Sequence, residues 1–287
     1  MSDPVPRLPD LPALWDDASA ENPLESRAES PPDPQRTPPD PWAELRRHTP
    51  ARIALGRAGT SLPTSEVLRF AAAHAAARDA VHLPLDVAAL RAELRAHGFD
   101  AATATSRAAS RAEYLTRPDL GRQLALGDDD AASGDAASAL CIVVADGLSA
   151  IAAQRHAAPL LAALRDAGVV AQRLVVATQA RVALGDAIGE RVGALLVLVL
   201  IGERPGLSSP DSLGAYLTWA PTTGCVDSER NCVSNIRPEG LPVADAARRI
   251  AWLVRESRRR RVTGIGLKDD SEVPRVGGDG EPALPAT

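Results

Sequence analysis

Residues 194–238 read ALLVLVLIGERPGLSSPDSLGAYLTWAPTTGCVDSERNCVSNIRP, and this stretch decides the fold. The first eight residues are uniformly apolar and β-prone. That is the pattern of a strand covered on both faces, as in a parallel sheet with helices above and below. The run then breaks at Gly202-Glu203-Arg204-Pro205-Gly206, which places a carboxylate, a guanidinium and two glycines where the strand ends. Open parallel sheets put their ligand sites at that edge, so Glu203 is a candidate binding residue. The next thirty residues are rich in small polar and backbone-permissive types: 208–212, Gly214, then 231–235. Such a segment suits a surface lying along a large polar ligand or a partner chain.

Upstream, residues 140–146 read as a buried strand. Gly147 and Ser149 open a helical stretch to about residue 167, which Pro159 is expected to kink or restart. Residues 173–178 form a second predicted strand and 186–192 a short helix. Strands alternating with helices at this spacing predict right-handed crossovers and an open, Rossmann-like parallel sheet over residues 131–287. Three strand-end loops then meet on one edge: 146–149, 179–185 and 202–205. This topology admits a nucleotide, a flavin or a corrin, and does not choose among them. Downstream, Val243, Ala247, Ile250 and Val254 form one apolar stripe of a helix that runs into four arginines at 258–261 and stops near Gly264. Arginines at a helix C-terminus suit the dipole; they read as a solvated end, or as a phosphate or subunit contact.

Residues 1–47 hold 11 of the 24 prolines together with many acidic residues and serines, which predicts a disordered tail. Leu8, Leu11, Leu14 and Trp15 are spaced for a short amphipathic turn, against which Pro9 and Pro12 argue. The tail is thus either inert or a short docking peptide. Residues 48–130 read as a small helical domain. Thr64, with Ser65 and Glu66, is expected to cap a helix carrying Val67, Leu68 and Phe70 into AAAHAAARDAV, and Asp86 to start a second that Gly98 ends. The alanine-rich faces suit close packing, internally and against another subunit. His74, His82 and His97 read as packing or surface residues, because no partner stands at ligand spacing. The glycines and arginines of 52–59 suit phosphate or a plain connecting loop, and lack the GxGxxG and P-loop patterns. Residues 127–135 read as a polar, flexible boundary. The expected class is therefore α/β, with a disordered N-terminal tail (1–47), a small helical domain (48–130) and a Rossmann-like open parallel-sheet domain (131–287).

At 287 residues and 45% hydrophobic, the chain can bury a core. A formal net charge of -5 gives no general reason to expect nucleic acid. Cys141, Cys225 and Cys232 form no CxxC pair and the five histidines are scattered, so neither a zinc site nor a disulfide framework is indicated, and a reducing cytosol fits. No apolar run approaches the roughly 18 residues of a membrane span, and the N-terminus lacks the pattern of a secretory signal.

GERPGLSSPDSLGAYLTWAP (202–221) and ERNCVSNIRPEG (229–240) resemble the small (light) subunit of ethanolamine ammonia-lyase. So do ARIALGRAGTSLPTSEVLRF (51–70), YLTRPDLGR (114–122), IVVADGLSAIAAQRHAAPLL (142–161) and TGIGLKD (263–269), which together cover nearly everything after Pro50. The resemblance implies a subunit of an adenosylcobalamin-dependent carbon–nitrogen lyase that converts ethanolamine to acetaldehyde and ammonia by a radical mechanism. It implies a hetero-oligomer with a large subunit, an α/β-barrel protein that holds the substrate, while this chain completes the cobalamin site and is inactive alone. Val182, Glu203 and Cys232 stand at positions matching the family's cobalamin contacts. Glu203 is expected to accept hydrogen bonds from corrin amides, and Val182 and Cys232 to offer backbone groups and van der Waals surface. The chain lacks the DxHxxG pattern that inserts a histidine under cobalt. The cofactor is accordingly expected base-on, with no metal ligand and no catalytic residue from this chain. Cys232 has no neighbouring histidine or evident base to make it a nucleophile. The implied setting is the bacterial cytoplasm, free or inside a microcompartment. The alternative is a non-catalytic, Rossmann-like assembly module that docks a partner without contacting the cofactor. It accounts equally for the alanine-rich helices and the tail, but not for the charged GERPG loop.

Overall fold

The computed structural model describes residues 42–49, 51–125 and 139–271. The expectations for residues 1–41 and for the boundary at 127–135 lie outside the described residues. The chain divides into two compact units, Met1–Ala54 and Leu55–Thr287. In the first, within the stretch read as tail, Ala43–Arg47 form a short helix, α1. Arg46 Nη1 donates to the carbonyl of Ala54 at 2.6 Å.

The second unit is built on a six-stranded sheet of order β1-β3-β2-β4-β5-β6. Its strands are β1 (Ala102–Thr105), β2 (Cys141–Ala145), β3 (Arg173–Thr178), β4 (Leu196–Gly202), β5 (Leu213–Trp219) and β6 (Arg230–Ile236). The pairs β1–β3, β3–β2 and β2–β4 are parallel, and β4–β5 and β5–β6 antiparallel. The α/β class with a mostly parallel sheet is as expected.

Every residue of β2 and β4 is buried, because both faces of these central strands are covered. On one face Ile142, Val144, Leu196, Leu198 and Leu200 share a core with α3 (Val87–Ala96), α5 (Ala150–Asp166) and α7 (Val243–Arg260). On the other, Cys141, Val143, Ala145, Val197 and Val199 pack with α6 (Val182–Arg191). Fully burying one such aliphatic side chain contributes about 1.5–3 kcal/mol, so the central strands anchor the unit. The α7 stripe is as read, with Ala247, Ile250 and Val254 buried and Val243 partly so. Asp86 caps α3 through Oδ1 to the Ala89 amide at 2.9 Å.

Five expectations need correction. Ala102–Thr105, inside the stretch read as wholly helical, is a strand whose register pairs Ala102 with Val175 and Thr105 with Thr178. Its ATAT alternation is too short to stand out beside alanine-rich helices, although Thr is β-prone. The polar segment after Gly202, read only as a surface for a ligand or partner, also holds a core strand: β5 sends Leu213, Ala215 and Leu217 into the first core at period two. Pro159 does not restart α5, which runs unbroken from Ala150 to Asp166. Ala157, Ala158, Leu160 and Leu161 flank it in the core, and tertiary packing overrides propensity there. α2 (Thr64–His82) begins at Thr64 itself after Pro63, with no side-chain capping bond. α6 begins at Val182, four residues before the expected start, so Val182 lies in a first helical turn and not in a loop.

Candidate functional site

The three loops expected to converge do converge. β3, β2 and β4 are adjacent, and after each strand the chain turns at the same edge. Asp146 ties the edge together. Its carboxylate accepts from the amides of Gly147 (2.9 Å), Gln179 (2.8 Å) and Ala180 (2.9 Å), and from Arg111 Nη1 (3.2 Å). Arg111 also donates to the carbonyls of Val81 and Gly147. Gly147 has φ +57, and a Cβ there would stand 2.1 Å from the carbonyl oxygen of Gly202, so only glycine lets the β2 turn meet the end of β4. Leu148 N donates to that same carbonyl at 2.9 Å. Gln179, a non-glycine residue, holds φ +54 between the two bonds to Asp146. Beside it the fully buried Tyr114 has Arg181 4.4 Å and Arg111 4.8 Å from its ring centroid, and its hydroxyl donates to Ala180 O. Burial pushes the Tyr114 phenol up, so it stays a neutral donor.

Glu203 follows β4 on the α6 face of the sheet. Its Oε2 accepts from the Ser212 hydroxyl and, at 3.1 Å, from the Asn235 amide. The second bond depends on an irregularity: the β5–β6 register jumps from Leu213↔Ile236 to Ala215↔Val233, and Asn235 in the surplus takes φ +59. A bulge re-aims backbone groups in this way, here turning an amide toward Glu203. Glu203 Oε1 has no partner among the described residues. The loop carrying Glu203 is pinned at its far end, where Asp211 Oδ2 meets Arg155 Nη1 at 2.9 Å and His156 Nε2 at 3.5 Å, and Ser149 Oγ donates to Pro210 O at 2.7 Å. Burial alone would raise the Asp211 carboxyl, but the Arg155 hydrogen bond and the His156 and Arg155 charges outweigh it and hold it below the usual range.

The same face carries the other two candidates. Cys232 is the cross-strand partner of Tyr216 and is exposed. Desolvation, then the Glu203 charge, pushes its thiol up against the pull of the Tyr216 phenol, which leaves a poor nucleophile. Tyr216 is pushed up as well, by burial and then by Cys232. Val182, half-buried at the start of α6, packs with Tyr216 against the second core. Sheet topology therefore brings Val182, Glu203 and Cys232 to one face.

Sequence reasoning missed the ties that hold that face. α6 lies so close to β4 that a Cβ at Gly185 would stand 2.2 Å from Val199 Cγ2. Its Asp186 pairs, buried, with Arg230 of β6, which also donates to Asp227 Oδ1 (2.9 Å) and the Cys225 carbonyl (2.7 Å). Partners 44 residues apart leave no local signal. Among the described residues, no group of three or more His, Cys, Asp or Glu is placed to hold a metal ion.

Residues 39–268 match the family described as Ethanolamine ammonia-lyase light chain (EutC). The chain belongs to the ethanolamine ammonia-lyase small-subunit family. It is 55% identical over 245 residues to the ethanolamine ammonia-lyase small subunit of Ralstonia nicotianae, spanning 82% of this chain and 90% of that one. Against the small subunit of Azotobacter vinelandii it is 54% identical over 251 residues, 84% of this chain and 93% of the other. Against that of Pseudomonas syringae pv. tomato it is 52% identical over 248 residues, with shares of 82% and 85%. As a small-subunit family member the chain is a lyase subunit, and among its described residues no helix is long and apolar enough to cross a membrane.

Proposed function

We propose that this chain supplies one wall of an adenosylcobalamin site in an ethanolamine ammonia-lyase, with a large subunit holding ethanolamine. The observation that carries the reading is the division of labour at Glu203: Oε2 is bound by Ser212 and Asn235, and Oε1, beside Gly214, has no partner among the described residues. A free carboxylate oxygen accepts hydrogen bonds, so a ligand bearing carboxamide N–H donors fits it. A corrin rim carries such groups. Glu203 would take one of them, while Val182 and Cys232 give van der Waals surface beside it. Adenosylcobalamin held there would supply the radical chemistry of the lyase. This chain's residues bind and orient, and the thiol of Cys232, held protonated, moves no proton.

Support for the hetero-oligomer comes from α2, where Leu62 just before the helix and Val67, Leu68 and Phe70 within it are about half or more exposed, and only Ala80 is buried. A helix with so little packing of its own gains stability from a partner. The bacterial relatives and the free cysteines fit the bacterial cytoplasm, free or inside a microcompartment. Co-expression with the cognate large subunit tests the reading. The complex should form acetaldehyde from ethanolamine only with adenosylcobalamin, and this chain alone should form none. Turnover by the isolated chain would overturn the assignment of roles.

A further inference from the structure

Tyr216 is a large side chain on the open part of the α6 face that neither the family positions nor the chemistry of Glu203 explains. It is half-buried against the second core, and its cross-strand partner Cys232 is exposed, so the described residues cover this pair only in part. Gly214, two residues earlier on the same face of β5, explains how the ring sits. A Cβ there would stand 2.9 Å from Glu203 Oε1, 3.1 Å from Glu203 Cγ and 3.2 Å from Tyr216 Cε2. The carboxylate and the phenol ring thus both close over Gly214, and any side chain at 214 would push on both. One face therefore carries an unpaired acceptor, a half-buried ring and an exposed thiol.

We infer that Tyr216 is a ligand-contacting residue, with its ring receiving the apolar part of a carboxamide side arm whose N–H donates to Glu203 Oε1, and that Gly214 is the positioning residue that sets the two side by side. This rests on the cobalamin reading of the site. Aromatic faces and flat amides with short alkyl stems are complementary, and a carboxylate oxygen beside a ring fixes which end of the arm lies where.

Equilibrium dialysis of cyanocobalamin against the complex with the large subunit tests this without turnover, with size-exclusion and thermal melting reporting assembly and folding. Gly214→Ala should weaken binding about tenfold, the loss of a hydrogen bond to a charged acceptor, because the new methyl displaces Oε1. Tyr216→Leu should weaken it about fivefold, and Tyr216→Phe should stay within about twofold of the parent, because the ring is kept. Should Gly214→Ala fail to fold, the Tyr216 pair decides alone. Parent-like affinity in Tyr216→Leu, with the complex intact, overturns the inference. So does a loss in Tyr216→Phe as large as in Tyr216→Leu, since the hydroxyl and not the ring would then be what counts. Glu203→Ala separates the two levels: if it too binds cyanocobalamin as the parent does, the cofactor reading of this face fails. If it weakens binding while Tyr216→Leu does not, only the ring's role fails.

Discussion

Replacing Asp146 with asparagine removes the charge at the centre of the sheet's C-terminal edge while keeping its shape. In the parent, one carboxylate receives three backbone amides and the Arg111 guanidinium. Asparagine offers one acceptor oxygen and turns an NH2 toward the remaining donors. Leaving a buried donor unpaired costs about 1–3 kcal/mol. Removing one partner of a buried ion pair costs about 3–5 kcal/mol, and the Asp146 and Arg111 side chains are only 2% and 11% exposed. These penalties overlap, so the expected loss is about 4 kcal/mol, a large share of the roughly 5–15 kcal/mol that domains possess. Urea unfolding followed by circular dichroism measures it. With a slope of about 1–3 kcal/mol per M, the midpoint should fall by about 1 M or more. A midpoint within about 0.3 M of the parent at unchanged slope would refute the reasoning, and would mean that the edge is held by Leu148–Gly202 and Tyr114–Ala180 instead.

The buried Asp186–Arg230 pair should behave alike: Arg230→Met alone should cost about 3–5 kcal/mol, and Arg230→Met with Asp186→Leu distinctly less, in a double-mutant cycle by urea unfolding. Additive losses would show that the two side chains are not coupled. Gly185→Ala should cost about 1–3 kcal/mol by overpacking against Val199, and Val199→Ala should restore part of it; no recovery would mean that α6 moves as a body. For Asp211 the folded carboxyl lies below its ordinary value, so its stabilisation is present above about pH 4 and is lost as pH falls through the folded value. Asp211→Asn should therefore melt below the parent at neutral pH and approach it as the pH falls below the ordinary carboxylate value. A constant gap in melting temperature across that range would count against the ion pairs with Arg155 and His156.

What was legible in the sequence depended on where each residue's partners lie. β4 announced itself because both its faces are covered, which leaves an unbroken apolar run. β5 and β6 did not. One face of each is open, so Ser234, Asn235 and Cys232 alternate with Val233 and Ile236 in a pattern that reads as coil. Glu203 stood out because a charge followed an apolar run at a strand end, a local signal. Its two hydrogen-bond partners, Ser212 and Asn235, lie beside it only through the sheet, and the amide of Asn235 points inward only through the bulge. Arg111 and Asp146, 35 residues apart, have no sequence signature at all. The start of α6 was hidden by Gly185, which reads as a loop residue and is instead the small contact that lets a helix lie against Val199.

The position of the candidate site is set by the change of strand direction at β4. Parallel neighbours are joined by crossovers, and a crossover helix covers the face it crosses, so β3, β2 and β4 are roofed on both sides. Antiparallel neighbours need only a turn. β5 and β6 extend the sheet past β4 without bringing another helix to the α6 face, and α7 covers only the opposite one, where Leu213, Ala215, Leu217 and Val233 lie. Thr218 and Arg230, nearest α6, are still buried, whereas Tyr216 is half-buried and Cys232 exposed. The open surface therefore begins where the parallel strands stop. Glu203, the first residue past β4 on that face, stands at its border, with Oε2 held by Ser212 and Asn235 and Oε1 unpartnered among the described residues. A partner that roofed β5 and β6 would enclose Glu203, Tyr216 and Cys232 together.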